Sequence, residues 1–153
     1  MRLSPLALLL MFALSGCASD FKAYSGPSTD DAHLAIITSH FDGCPSCVKE
    51  IRKDDRLYYS VERDGLAKTI RLAPGDYIIR YSYAYSQPNA VIPLFSTRTT
   101  PASYEDNLRL EEGHTYSIHY DVCFILCFSM DSYTTYIWII DDATGKVVSG
   151  VKP

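Results

Sequence analysis

Lys68-Thr69-Ile70-Arg71-Leu72-Ala73-Pro74-Gly75-Asp76-Tyr77-Ile78-Ile79-Arg80-Tyr81-Ser82-Tyr83-Ala84-Tyr85 is the stretch that decides the fold. Residues 68–72 alternate polar and apolar, then Pro74-Gly75 supplies turn chemistry. From Asp76 to Ser86 the pattern is again period two. Tyr77, Ile79, Tyr81, Tyr83 and Tyr85 share one face, and Ile78, Arg80, Ser82 and Ala84 share the other. Side chains alternate in this way only on a pleated strand, so the stretch reads as strand, turn, long strand.

Outward from there the same period recurs. Towards the N-terminus, Leu57 to Glu62 reads as a strand ending at Arg63-Asp64-Gly65, a hairpin signal because Asp-Gly accepts positive φ. His33 to Thr38 reads as another strand. Towards the C-terminus, Gln87 to Ser103 holds three prolines and reads as a loop, or a loop enclosing a short edge strand at Ala90 to Ser96. Asn107 to Glu111, a turn at Glu112-Gly113, and Thr115 to Val122 read as a hairpin. Thr135 to Ile140 is apolar on both faces, as in a central strand, and Val147 to Val151 is the last strand. The only helical candidate is Cys47 to Asp54. The expectation is a mainly β protein, an antiparallel β-sandwich of about seven or eight strands with at most one short helix.

The N-terminus is of a different kind. Met1-Arg2 gives one positive charge, Leu3 to Leu14 is apolar apart from Ser4 and Pro5, and Leu14-Ser15-Gly16-Cys17 closes the run. This is the pattern of a secretory signal, and it is short for a bilayer-spanning helix, which needs about 20 apolar residues. Leu14-Ser15-Gly16-Cys17 resembles the bacterial lipobox. That resemblance implies a diacylglycerol thioether on Cys17, cleavage before it and acylation of the new amine, with no other cofactor. Several acyl chains would make anchoring stable where one is marginal. Ala18 after the cysteine resembles cargo for the outer membrane, in its periplasmic leaflet. The expected organisation is a signal peptide at 1–16, a lipidated Cys17 with a flexible tether over 17–31, and a sandwich over 32–153.

Loss of residues 1–16 would leave 13 basic and 18 acidic side chains. Such an acidic balance offers nothing to nucleic acid. Of five cysteines, Cys17 would carry lipid, which leaves Cys44, Cys47, Cys123 and Cys127. In an oxidising compartment these read as two disulfides. If Cys123 to Cys127 were one extended strand their Cα atoms would lie about 13 Å apart, beyond the ~7 Å limit of a disulfide. That favours cross-links to the Cys44/Cys47 loop, although a turn at Phe124-Ile125-Leu126 would permit local pairing.

The turns Asp64-Gly65, Pro74-Gly75-Asp76-Tyr77 and Gly113-His114-Thr115-Tyr116, with the ending Trp138-Ile139-Ile140-Asp141-Asp142 and Thr144-Gly145-Lys146-Val147-Val148, resemble those of small bacterial lipoproteins of uncharacterised function. The resemblance spans about Ala32 to Gly150 and implies a transthyretin-like or PEGA-like β-sandwich. It implies no functional residue.

Three constellations remain. Gly43-Cys44-Pro45-Ser46-Cys47 resembles the active site of thioredoxin-like reductases, whose chemistry needs a helix N-terminus to acidify the thiol. The alternation after Asp55 does not offer that fold. Cys44 and Cys47 with Cys123 and Cys127 have the donor types of a zinc site, which oxidation disfavours outside the cytosol. No metal site is expected, and His33, His40, His114 and His119 show no nucleophile spacing. Lastly, Tyr77, Tyr81, Tyr83 and Tyr85 form either a binding face or a row packed against the opposite sheet. The expected function is therefore that of a non-enzymatic, membrane-anchored binding or envelope-structural module, with an envelope protein or glycan as partner. The alternative is a thiol redox or metal-handling lipoprotein using Cys44-Pro45-Ser46-Cys47.

Overall fold

A computed structural model of the chain describes residues 19–25, 30–39, 47–88, 97–123 and 134–153. They form two packed sheets, so the mainly β expectation holds. Strands β1 (Ser19–Lys22), β2 (Ala35–Ser39), β5 (Ala67–Leu72), β8 (Thr115–Cys123), β9 (Thr134–Asp141) and β10 (Lys146–Gly150) build a six-stranded sheet in the order β1-β5-β2-β8-β9-β10. Strands β3 (Val48–Lys53), β4 (Arg56–Ser60), β6 (Gly75–Pro88) and β7 (Thr97–Leu110) build a four-stranded sheet in the order β4-β3-β6-β7. Among the described residues α-helix is limited to one turn, α1 (Val61–Asp64), with a 3-10 turn at Asp31–His33.

The core is what the period-two pattern dictates. Ile37, Ile70, Leu72, Ile118, Ile137 and Ile139 from the larger sheet meet Ile51, Tyr59, Tyr77, Ile79, Tyr81 and Leu110 from the smaller, all fully buried. Each such side chain contributes about 1.5–3 kcal/mol by leaving water.

Several expectations change. The sandwich is not wholly antiparallel, because β1 pairs parallel with β5 and β2 parallel with β8. Part of the supposed tether is structure: β1 adds an edge strand, and Phe21 sets its ring 5.1 Å from that of Tyr59. The helical candidate Cys47 to Asp54 is strand β3. Val48 and Ile51 face the core and Glu50 faces outward, a spacing made possible by a bulge between Val48 and Glu50. The stretch read as a loop from Gln87 supplies strand residues up to Pro88 and again from Thr97. Pro101 is tolerated there because β7 is an edge, where a missing N–H interrupts no ladder on its open side. The edge strand read at Ala90 to Ser96 lies outside the described residues.

The turns at Asp64-Gly65, Pro74-Gly75 and Glu112-Gly113 all form, yet each carries the chain from one sheet to the other instead of closing a hairpin. At the first, the Ser60 hydroxyl accepts from the Arg63 N–H at 3.2 Å, the Asp64 carboxylate accepts from the Ser60 N–H at 2.9 Å, and Gly65 takes φ 79°. This reciprocal capping winds one helical turn. A two-residue hairpin forms at Asp54-Asp55, with φ 49° and 60°, and a longer one joins β9 to β10.

These connections give the sandwich two unlike ends. The turn end collects Asp54-Asp55, Ala73-Pro74, Glu111 to His114 and Asp142 to Gly145. The opposite end receives the first residues of β1, β3 and β5 and the last of β2, β6 and β8. There, β6–β7 pairing continues to Pro88 with Thr97, beyond the Ser82 N–H that bonds the Cys47 carbonyl. Likewise β8–β9 pairing continues to Cys123 with Thr134, beyond the level of Ser39 and Gly150. Two ribbons thus overhang the core, and the Tyr83 ring stacks on Tyr120 at 3.9 Å between them.

Candidate functional site

The tyrosine row belongs to the core. Tyr77 is 1% exposed and Tyr81 0%, because the odd-numbered face of β6 looks across the sandwich at the six-stranded sheet. Tyr83 is half-buried against Tyr120, and the Tyr85 side chain lies outside the described residues. Both buried hydroxyls find partners. Tyr77 donates to the Ala73 carbonyl at 2.8 Å, while Tyr81 meets Ser149, which donates in turn to Asp106. Burial pushes the Tyr77 phenol up to about 12 and raises that of Tyr81 further. Of the two readings of the row, Tyr77 and Tyr81 therefore take the packed one, as core residues.

The even-numbered face of β6 looks outward and builds the better candidate. Arg80 and Ser82 on β6, Glu50 on β3, Ser60 before α1, Glu62 on α1 and Ser103 on β7 line a groove of about 320 Å³. Each wall has a local cause. The β3 bulge turns Glu50 towards Arg80, its cross-strand partner, and Ser60 lies opposite Glu50 on the other side. Glu50, only 8% exposed, is held by the guanidinium groups of both Arg80 and Arg52. The Ser60 cap fixes α1, and Arg63 donates to the Tyr58 carbonyl at 2.9 Å and to Asp64 at 2.8 Å. The hydrogen bond from Arg63 keeps the Asp64 carboxyl below the usual range despite some burial. A charge-paired floor with hydroxyl walls can offer donors and acceptors to a polar ligand.

A second polar cluster lies at the turn end. Asp141, 6% exposed, accepts from the Thr144 hydroxyl at 2.8 Å and the Ala143 N–H at 3.1 Å, with His114 Nδ1 at 3.1 Å. Burial raises its pKa, but these three partners outweigh it and leave the carboxyl below its ordinary value. Ser117 donates to Asp142 at 2.6 Å. Asp141 is occupied as a turn cap, and His114 braces it.

Cys47 is 1% exposed and opens β3. It precedes a strand, so the helix N-terminus that would acidify a reductase thiol is replaced by β3. Cys123 ends the backbone of β8 at the same end of the sandwich. The Cys123 side chain lies outside the described residues, as do Cys17, Cys44 and Cys127. Among the described residues no helix is long and apolar enough to cross a membrane, which leaves strands unaddressed.

The sequence matches no known family model, no curated protein and no solved structure. The groove escaped sequence reading because Glu50 and Arg80 are 30 positions apart. Arg80 and Ser82, alternating with Ile79 and Tyr81, were the signal that the outer face of β6 is polar at this point.

Proposed function

We propose that the chain is a lipid-anchored, non-enzymatic β-sandwich of the cell envelope, held through Cys17, that serves as a binding or envelope-structural module. The observation that carries this reading is the start of β1 at Ser19, with only Ala18 between it and Cys17. Cleavage before Cys17 leaves every described strand intact, as the processing of such a precursor requires. The outer membrane, in its periplasmic leaflet, is the proposed location. The groove at Glu50 and Arg80 is the proposed contact for an envelope protein or glycan, since its paired charges and serine hydroxyls suit a hydrogen-bonding ligand. Two structural disulfides among Cys44, Cys47, Cys123 and Cys127 belong to the same reading, and the burial of Cys47 at the end of the sandwich towards which β8 runs supports them.

Growth with a clickable fatty acid tests the anchor. The wild-type protein is expected to carry the label and fractionate with membranes, and Cys17→Ser to do neither. A labelled Cys17→Ser protein, or an unlabelled wild type, overturns the reading.

A further inference from the structure

The register of β1 ties the anchor to one end of the molecule. Ser19 pairs with Ala67, the first residue of β5, and β5 runs from there towards the turn end. Following the pairing through Thr38 with Thr69 and Ser39 with Ile118 puts Ser19 at about the level of His119 on β8. Cys17 is two residues upstream and reaches at most about 7 Å past Ser19. The β8–β9 ribbon extends four residues past His119 to Cys123, about 13 Å. With Cys17 anchored, the β8–β9 ribbon is then the part of its sheet that reaches furthest towards the bilayer, and the β6–β7 ribbon lies beside it through the Tyr83–Tyr120 stack.

Charge at the turn end agrees. Asp30-Asp31, Asp54-Asp55, Glu111-Glu112 and Asp141-Asp142 all lie at the turn end. They outnumber the basic residues near them, Lys22, Lys53, Arg56, Arg71, Arg109 and Lys146. An acidic end is repelled by anionic headgroups within about a Debye length, ~10 Å.

We propose that the sandwich stands end-on at a lipid bilayer, with the overhanging β6–β7 and β8–β9 ribbons against the headgroups and the acidic turn end directed away. The inference rests on the Cys17 anchor. It adds a second contact with the membrane and a fixed polarity, and the outer groove then lies along the side of an upright molecule.

The test uses the full lipidated protein in vesicles of phosphatidylethanolamine and phosphatidylglycerol, with nitroxide-headgroup lipid as quencher. A fluorophore is placed by Asp121→Cys or Leu66→Cys near the ribbons, and by Thr144→Cys at the turn end, each variant first checked for the parental melting temperature. The two ribbon-end probes are expected to lose most of their emission and the Thr144 probe to keep it. Equal quenching at both ends, or quenching at Thr144 alone, overturns the orientation while the protein remains on the vesicles. Lipidated protein that fails to float with vesicles overturns the anchor and the orientation with it.

Discussion

At Gly150 the backbone takes φ +81°, and a Cβ built there would lie 2.2 Å from the Ile137 carbonyl oxygen, 2.7 Å from Trp138 Cα and 2.9 Å from the Tyr81 hydroxyl. Two of these neighbours are backbone and cannot step aside. Gly150→Ala is expected to cost roughly 2–3 kcal/mol, seen as a lower urea midpoint with an unchanged m-value. The opposite sign holds at Asp55, whose φ of 60° is left-handed without glycine's freedom. Asp55→Gly is expected to raise stability by up to about 1 kcal/mol. Asp141 adds a pH dependence. Its folded pKa is lowered, so its stabilisation is complete above the unfolded carboxylate value and is lost as pH falls through the folded one. The melting temperature is expected to drop as pH falls through and below the ordinary carboxylate range, and the drop to shrink in Asp141→Asn. An unchanged pH profile in that variant would remove Asp141 from the account.

Among elements, what the sequence makes legible is chemistry within a few residues. The long strand β6, the alternation of β5 and the turns at Pro74-Gly75 and Glu112-Gly113 could all be read directly. Their destination could not. A turn motif constrains four residues, whereas the choice between hairpin and sheet crossing depends on which faces find cover, a property of the whole packing. Strand β3 shows the same limit. Val48 and Ile51 are three apart, a helical spacing that a bulge also satisfies. Strand β1 was hidden by its polarity, since Ser19, Asp20 and Lys22 surround a single Phe21. Phe21 packs on the core from an edge strand, and Phe21→Ala is expected to cost about 1–2 kcal/mol, less than the loss of a fully buried ring. Thermal unfolding of the mature domain checks this, and a neutral result would mean that β1 is a passive extension.

For the molecule as a whole, the sequence placed the tyrosines on one face of β6 and left open which side of the sheet that face meets. Packing decides that side, and it turns Tyr77 and Tyr81 inward and gives the groove to Glu50 and Arg80. Capture from envelope extract with the mature domain is expected to fail for Arg80→Ala, while Tyr77→Phe, which keeps the buried ring, captures normally. The reverse outcome would return the tyrosines to consideration. The four cysteines other than Cys17 are expected to be unreactive to a thiol reagent in the unreduced mature domain and fully reactive after reduction in denaturant. Reactivity before reduction would favour a redox or metal role for the Cys44-Pro45-Ser46-Cys47 motif. Strand β1 has one more consequence, a mechanical one. Under the proposed Cys17 anchor, any tug between membrane and domain would enter at Ser19 and run along the strand, so the backbone bonds joining β1 to β5 would be loaded side by side in shear. A ladder pulled in that direction resists as a group and does not open one bond at a time, which suits an edge strand to serve as the strain relief of a tethered molecule.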